Sequence, residues 1–399
     1  MIHSSERAVN FHYAIRNVVN AAEILERQGR EIIYLNIGDP QAFGFKPPSE
    51  IVEAIERAAR DKFTGYSHSA GLRQAREAVA EYATALGTQT SPEDTLITSG
   101  SSEAAELLLT ALVNPGDEVL LPAPGYPIYP AIVNKLGARI RYYHLNHKTN
   151  WQASVDEIRT LINQRTRAIV LINPSNPTGA ITSDETTRLL LELAAKHNLL
   201  VISDEVYRDL CFNEPPTTSS VLAAGSGAAV VVLESLSKTH MLSGWRVGWM
   251  RFTPAARGEL MDGVTRLAGG RLCSPTLAQY AIQPALHGDR QSVKTFTEEI
   301  RRRRDFAAKR VAAIDGLSCT LPEAAFYLMI HVEDTRGRTD EQFVLDLLQA
   351  SNVLVVHGSG FGCDPEAGYF RLVYLADEKL LGAAFDQIER SLSVHSTAV

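Results

Sequence analysis

The chain has 399 residues, 45% apolar and 21% charged, a composition that supports an ample folded core and excludes a mostly disordered chain. Lys and Arg number 39 against 46 Asp and Glu, and the resulting formal charge of −7 argues against nucleic acid or an anionic membrane surface as the main partner. Cys211, Cys273, Cys319 and Cys363 form no CxxC pair, the N-terminus lacks an apolar signal core, and no apolar run approaches a membrane span, so the composition suits a cytoplasmic protein with free thiols.

Helical spacing of Ile15, Val18, Val19, Ala22 and Leu25 predicts a helix over 14–29. A second is expected over 49–60, with Ser49 as N-cap and Val52, Ile55 and Ala59 facing inward. A third follows Gly71, with Leu72, Ala75, Val79 and Tyr82 on one face. From about residue 92 short apolar runs alternate with helical stretches. The runs are Thr95–Thr98, Val119–Leu121, Ala168–Ile172, Leu199–Ser203 and Val230–Leu233, with a helix such as Ser183–Lys196 between two of them. Near-continuous apolar runs read as buried parallel strands, and the alternation implies an α/β layered fold with a mostly parallel central sheet flanked by helices.

After about residue 290 a charged helix over 291–314 is followed by strand-like runs at Phe326–His331, Val353–Val356 and Tyr369–Leu375. A last helix is expected near 377–392. The expected division is therefore a large domain over 49–290 and a small α+β domain over 291–399, which the N-terminal arm and adjoining residues 1–48 help to build. The basic run Arg301–Arg304 is read as a solvated, salt-bridged helical segment rather than a phosphate patch.

In a parallel sheet the ligand site lies beyond the carboxyl ends of the strands. Here those ends carry Ser99-Gly-Ser-Ser-Glu103, Pro122-Ala-Pro-Gly-Tyr126, Asn173-Pro-Ser-Asn-Pro-Thr-Gly179, Asp204-Glu-Val-Tyr207 and Glu234-Ser-Leu-Ser-Lys-Thr239. Five such segments in series would converge on one crevice. Gly100, Ser101 and Ser102 open a helix whose free N–H groups suit a phosphate, although serines there also serve as plain caps. A carboxylate such as Asp204 at a buried strand end calls for a cation or hydrogen-bond donors, unless it caps a helix or lies in a surface loop. Lys238 could be an ordinary surface lysine. Arg246, in Gly244-Trp-Arg-Val-Gly248, stands among small and aromatic residues, an odd place for a merely solvated arginine.

An imine-forming lysine, an acid to keep a ring nitrogen protonated and a phosphate cradle together suggest pyridoxal phosphate. With Asn173-Pro-x-Asn-Pro-Thr-Gly179, Asp204-Glu-x-Tyr207, Ser235-x-Ser-Lys238 and Gly244-x-Arg-x-Gly248 in that order, the chain resembles the class I/II aminotransferases of fold type I, from about Tyr13 to Arg371. That resemblance implies that Lys238 binds the cofactor covalently and then moves the substrate's proton. It implies that Asp204 pairs with the ring nitrogen, that Tyr207 and Asn176 contact the ring 3-oxygen, and that Tyr126 stacks on the ring. Ser101, Ser102, Ser235, Ser237 and Arg246 would hold the phosphate, with Tyr66 reaching across a homodimer to the partner's site. Arg371 would grip the substrate α-carboxylate, approached also by the backbone of Gly38.

Asn36-Ile-Gly-Asp-Pro-Gln-Ala-Phe-Gly-Phe45, Tyr13-Ala-Ile-Arg16 and Arg271-Leu-Cys-Ser-Pro275 resemble the alanine-aminotransferase-like branch. This implies an arm closing over the site, with Tyr13 and Arg16 as contacts for the side chain and for 2-oxoglutarate, or as helix-start residues packed on the small domain. Ala324, where relatives commonly have glycine, is expected to reshape a turn near the substrate. The expected activity is ping-pong amino transfer between alanine and 2-oxoglutarate, with pyruvate and glutamate as products. Aspartate, branched-chain, aromatic or specialised biosynthetic substrates stay open. So do a C–S lyase or decarboxylase on the same scaffold and, remotely, a pyridoxal-phosphate-sensing regulator.

Overall fold

The computed structural model describes residues 2–9, 14–61 and 64–394. The first strand, Ile33–Tyr34 (β1), lies outside the main sheet. That sheet has eight strands: β2 (Thr95–Thr98), β3 (Glu118–Ala123), β4 (Arg139–Asn146), β5 (Gln152–Ala153), β6 (Thr166–Ile172), β7 (Leu200–Asp204), β8 (Val230–Ser235) and β9 (Gly248–Phe252). Their order is β2-β9-β8-β7-β6-β3-β4-β5. β4, β3, β6, β7 and β8 run parallel, while β9 is antiparallel to both its neighbours and β5 to β4.

The apolar runs sort their side chains by the period of two that a strand imposes. Val119, Leu121, Val170, Ile202 and Val231 enter one apolar layer, and Leu120, Ile169, Leu171, Val201 and Val232 enter the other. Helices cover both faces, the helix over Ser101–Leu112 on the first and that over Asp184–Lys196 on the second. All five expected strands are present, so their carboxyl ends line up along one edge of the sheet. β4, β5 and β9 were not expected. β4 is largely exposed and carries polar residues, which hides it from an apolar-run criterion. β9 contains Arg251, which is buried because its guanidinium meets Glu234 at 2.6 Å, beside the Trp249 indole N–H on the same carboxylate at 2.9 Å.

A second, antiparallel sheet has the order β10-β11-β14-β13, from β10 (Leu317–Cys319), β11 (Tyr327–Val332), β13 (Val356–His357) and β14 (Tyr369–Val373). Between them in sequence, β12 (Val353–Leu354) pairs in parallel with β1, so the N-terminal part of the chain is stitched to the C-terminal part. Leu35, Phe296, Ile300, Phe326, Leu328, Val355 and Leu372 share one core there.

Two local expectations need correction. The helix over Ser49–Arg60 has Pro48 at its N-cap, not Ser49, and buries Ile51 and Ala58 while Ala59 faces solvent. Arg303 and Arg304 are not solvated. The Arg303 guanidinium lies over Phe45 at 4.6 Å and donates to the Leu375 carbonyl, and Arg304 lies over Phe212 at 4.5 Å and donates to the Pro322 carbonyl. Their apolar stems and flat heads suit a packed aromatic surface, so only Arg301 and Arg302 of the run are exposed. Beside Ala324, the backbone of Ala325 takes a φ of 61°.

Candidate active site

The strand ends open into a cavity of about 750 Å³. It is lined by Gly38, Ser101, Ser102, Tyr126, Asn176, Asp204, Tyr207, Ser237, Lys238, Arg246 and Arg371, and by Ile37, Ile128, Ile172, Val206, Ser243 and Tyr327. The first eleven are expected site residues, and the fold brings them together from segments up to 333 positions apart (371 − 38).

The floor is built from the main sheet. Asp204 closes β7 and is 6% exposed, so its charge is taken out of water. Burial pushes its carboxyl up to about 6, against the hydrogen bond from Tyr129 Oη at 2.8 Å, which favours the anion. Lys238 follows β8 on a single helical turn over Leu236–Thr239. Its ammonium donates to the Gly38 carbonyl at 2.6 Å. Burial lowers its pKa to about 8; Asp39 opposes that shift, and the like charges of Arg371 and Arg246 add to it.

One end of the floor is an anion cradle. The helix over Ser101–Leu112 begins there with unpaired N–H groups. A Cβ on Gly248 would lie 2.7 Å from the Ser101 nitrogen, and one on Gly100 would lie 2.5 Å from Arg246 Nη2. Only glycine at both positions leaves the helix end and the guanidinium this close. Gly100 thus acts by the side chain it lacks. Arg246 is exposed toward this space, its Nη1 and Nη2 donating to the Ser243 and Ser99 carbonyls at 2.9 and 3.2 Å. Ser235 does not line the cavity. It is buried behind, accepting from the Ser237 N–H at 3.0 Å and donating to the Val247 carbonyl at 2.8 Å, so it fixes the turn that carries Ser237 and Lys238.

The roof comes from the second sheet and the segment after β1. Arg371, on β14, donates to Asn176 Oδ1 at 2.8 Å and to the Asn36 carbonyl at 2.6 Å. Its guanidinium carbon lies 4.5 Å from the ring centroids of both Tyr327 and Phe361. Gly38 packs so tightly that a Cβ would lie 2.5 Å from Tyr327 Oη. Tyr207 Oη and Tyr327 Oη share a hydrogen bond at 2.6 Å, and burial together with that bond holds the Tyr207 phenol well above its ordinary range.

Tyr66 lies elsewhere: it is 83% exposed and therefore not a core tyrosine. Its segment is anchored, the Gly65 carbonyl accepting from Thr276 at 2.9 Å and Ser67 from Gln279 at 3.0 Å. Tyr13 lies outside the described residues, and Arg16 belongs to the helix over Ala14–Arg27 with its side chain outside them too. Sequence reasoning did not single out Tyr327, Phe361 or Tyr129. Tyr327 lies three residues beyond Ala324 and Phe361 lies in Gly358-Ser-Gly-Phe-Gly362, whereas Tyr129 looks like any apolar helix residue.

The donor set fits pyridoxal phosphate. The cradle of Gly100, Ser101, Ser102, Ser237 and Arg246 suits its phosphate, Tyr126 and Val206 border space for a flat ring, Asp204 offers a carboxylate to a ring nitrogen, and Lys238 offers an amine of lowered pKa to its aldehyde. No cluster suited to a metal ion is present among the described residues.

The family model for aminotransferase class I and II matches residues 30–388. The glutamate-pyruvate aminotransferase AlaA of Haemophilus influenzae is 35% identical, over 98% of each chain. The alanine aminotransferase of Mycobacterium tuberculosis is 34% identical over 94% of this chain and 89% of its own. An alanine aminotransferase structure from Pyrococcus furiosus superposes with a TM-score of 0.95 at 37% identity, covering 98% of this chain and all of the other. The aspartate aminotransferase of Thermus thermophilus with maleate gives 0.88 at 28% identity, over 98% of this chain and 100% of its own. With a fold-type I architecture and a matching motif set at one cavity, the chain belongs to the class I and II aminotransferases and is an aminotransferase.

Proposed function

We propose that the protein moves an amino group between alanine and 2-oxoglutarate, giving pyruvate and glutamate, with pyridoxal phosphate in the cavity. The observation that carries the cofactor reading is that one cavity is lined at once by the Ser101–Ser102 helix end, Asp204, Lys238 and Arg371. The names of the relatives from Haemophilus and Mycobacterium support alanine and glutamate as the donors.

When bound, pyridoxal phosphate supplies an electron sink for the bond cleaved at the substrate Cα. The chain's residues do the rest. Lys238, with a pKa lowered to about 8, is roughly one-tenth free amine at pH 7, where an ordinary lysine would be below one part in a thousand. It can therefore attach the cofactor and, once released, take and return a proton. Asp204 would keep the ring nitrogen's proton in place, and the Tyr207 hydroxyl and Asn176 amide would serve the ring's 3-oxygen. Arg371, held against the Tyr327 and Phe361 rings, would meet the substrate carboxylate with its guanidinium. Both substrates must use this one space in turn, so side-chain selection is left to few contacts. We assign Tyr13 and Arg16 to the substrate's side-chain end.

The same reading takes residues 49–290 as the large domain, and 1–48 with 291–399 as the small one, supported by the β1–β12 pairing of the two ends. It includes a homodimer in the cytoplasm, with exposed Tyr66 serving the partner's phosphate. No helix of the described residues is long and apolar enough to cross a membrane. The test is a half-reaction screen of the amino acids against the cofactor-loaded protein, following conversion of the bound cofactor to its amine form. Alanine and glutamate should convert it fastest. No conversion by any amino acid would sink amino transfer, and faster conversion by aspartate or an aromatic acid would replace the substrate.

A further inference from the structure

Asp204 is a buried carboxylate whose strand neighbours, Ile172 on β6 and Leu233 on β8, are apolar. A charge in such a place survives only if donors are aimed at it. One is the hydroxyl of Tyr129, 1% exposed, at 2.8 Å from Oδ2. Oδ1 meets the Val206 N–H at a longer 3.4 Å, which leaves it acceptor capacity for a second, stronger donor. Tyr129 sits on the helix over Ile128–Lys135, in the apolar layer with Val170, Ile172 and Ile202. Three residues earlier the same short segment presents Tyr126 to the cavity. Its donor does not fail within the physiological range, because burial and the adjacent Asp204 charge hold the Tyr129 phenol well above its usual value.

We propose that Tyr129 is a positioning residue: its hydroxyl holds Asp204 as an oriented anion, through which it sets how firmly the protein keeps the cofactor's ring nitrogen protonated. This rests on the reading that pyridoxal phosphate docks against Asp204. The other titratable groups facing the carboxylate are Glu205, whose like charge disfavours the anion, and the phenols of Tyr126 and Tyr207. Tyr129 donates the hydrogen bond that reaches Oδ2. Removing the hydroxyl leaves burial and Glu205 pushing the carboxyl upward with less to oppose them, so its titration moves toward neutrality.

The test compares the cofactor-loaded wild type with Tyr129→Phe, using cofactor labelled with ¹⁵N in the ring. The visible absorbance of bound cofactor should persist in the variant. The ring nitrogen should lose its proton at lower pH, kcat should fall about ten-fold or more, and the acid limb of the kcat profile should rise by roughly one pH unit. As a shape-preserving second variant, 3,5-difluorotyrosine at position 129, a stronger donor, should move the limb the opposite way. An unmoved limb and an unmoved ¹⁵N titration in both variants would overturn the proposal, even with activity reduced, because a packing role changes neither. A wild type with no cofactor absorbance at all would overturn the cofactor reading and this inference together, so the wild-type spectrum tells the two failures apart.

Discussion

The floor and the roof of the cavity are made in different ways. The floor hangs on the carboxyl ends of adjacent buried strands, and its two central groups, Asp204 and Lys238, have titrations displaced mainly by burial. The roof is assembled from Asn36, Tyr327, Phe361 and Arg371, and there the visible device is geometry: hydrogen bonds spanning 195 and 335 positions and two rings packed against one guanidinium. Burial tunes chemistry, and clamped orientation tunes recognition. On this division, damage to the floor should abolish turnover or move its pH dependence, while damage to the roof should act on substrate affinity.

The largest effect is expected at the floor. Lys238→Ala removes both the attachment point and the proton carrier, so turnover should drop by at least about 10⁴-fold and the visible absorbance of the attached cofactor should vanish. Steady-state rates and a spectrum of the purified variant check both, and retained activity would break the comparison at its base. Arg371→Ala is the matching cut in the roof. Losing two charged hydrogen bonds should lower kcat/KM by roughly 10² to 10⁴-fold, with the cofactor spectrum intact. A variant that also sheds its cofactor would show that roof and floor are not separable.

Asp204→Asn is expected to weaken activity and yet to stabilise the protein once the cofactor has been removed. The folded carboxyl has its pKa raised from 3.8 to about 6, so between those values the folded state binds the extra proton. The associated stability is present below pH 3.8, is lost as pH rises toward 6, and is absent above it. A shift of this size corresponds to about 3 kcal/mol. The asparagine variant escapes that loss, so its Tm should exceed the wild type's by roughly 5 °C at pH 8, with the gap closing by pH 4. A gap independent of pH would mean that burial of charge is not what characterises the floor.

The difference between floor and roof also explains what could be read from the chain. The floor follows from short motifs placed directly after apolar runs, because a parallel sheet brings successive strand ends together whatever the details of the loops. Asp204, Asn176 and Lys238 were therefore visible as a set. Tyr129 was not, since its hydroxyl distinguishes it from neighbouring core residues only once Asp204 is placed opposite. The buried Arg251 of β9 and the buried Arg303 and Arg304 failed for one common reason. A cation at a core position looks like a surface residue until its partner, Glu234 in one case and Phe45 and Phe212 in the others, is brought in from elsewhere. The roof shares this dependence on distant partners.

Phe361 gives the finest test of the roof. It is 3% exposed, and its carbonyl accepts from the Gly125 N–H at 2.8 Å, so the backbone of its loop is tied to the main-sheet side independently of the ring. Alanine there would cost several kcal/mol by leaving a cavity, and the effect on recognition would be lost in that damage. Phe361→Leu keeps most of the volume and removes the π face. A buried cation–π contact is worth about 1–2 kcal/mol, but the Tyr327 ring keeps its own contact with Arg371 at 4.5 Å, so only part of the orientation is lost. KM for both substrates should rise about three- to ten-fold with kcat nearly unchanged, because the same arginine serves both α-carboxylates. A fall in kcat at constant KM would place Phe361 with the floor's chemistry, and no change in either would show that Tyr327 alone holds the guanidinium plane.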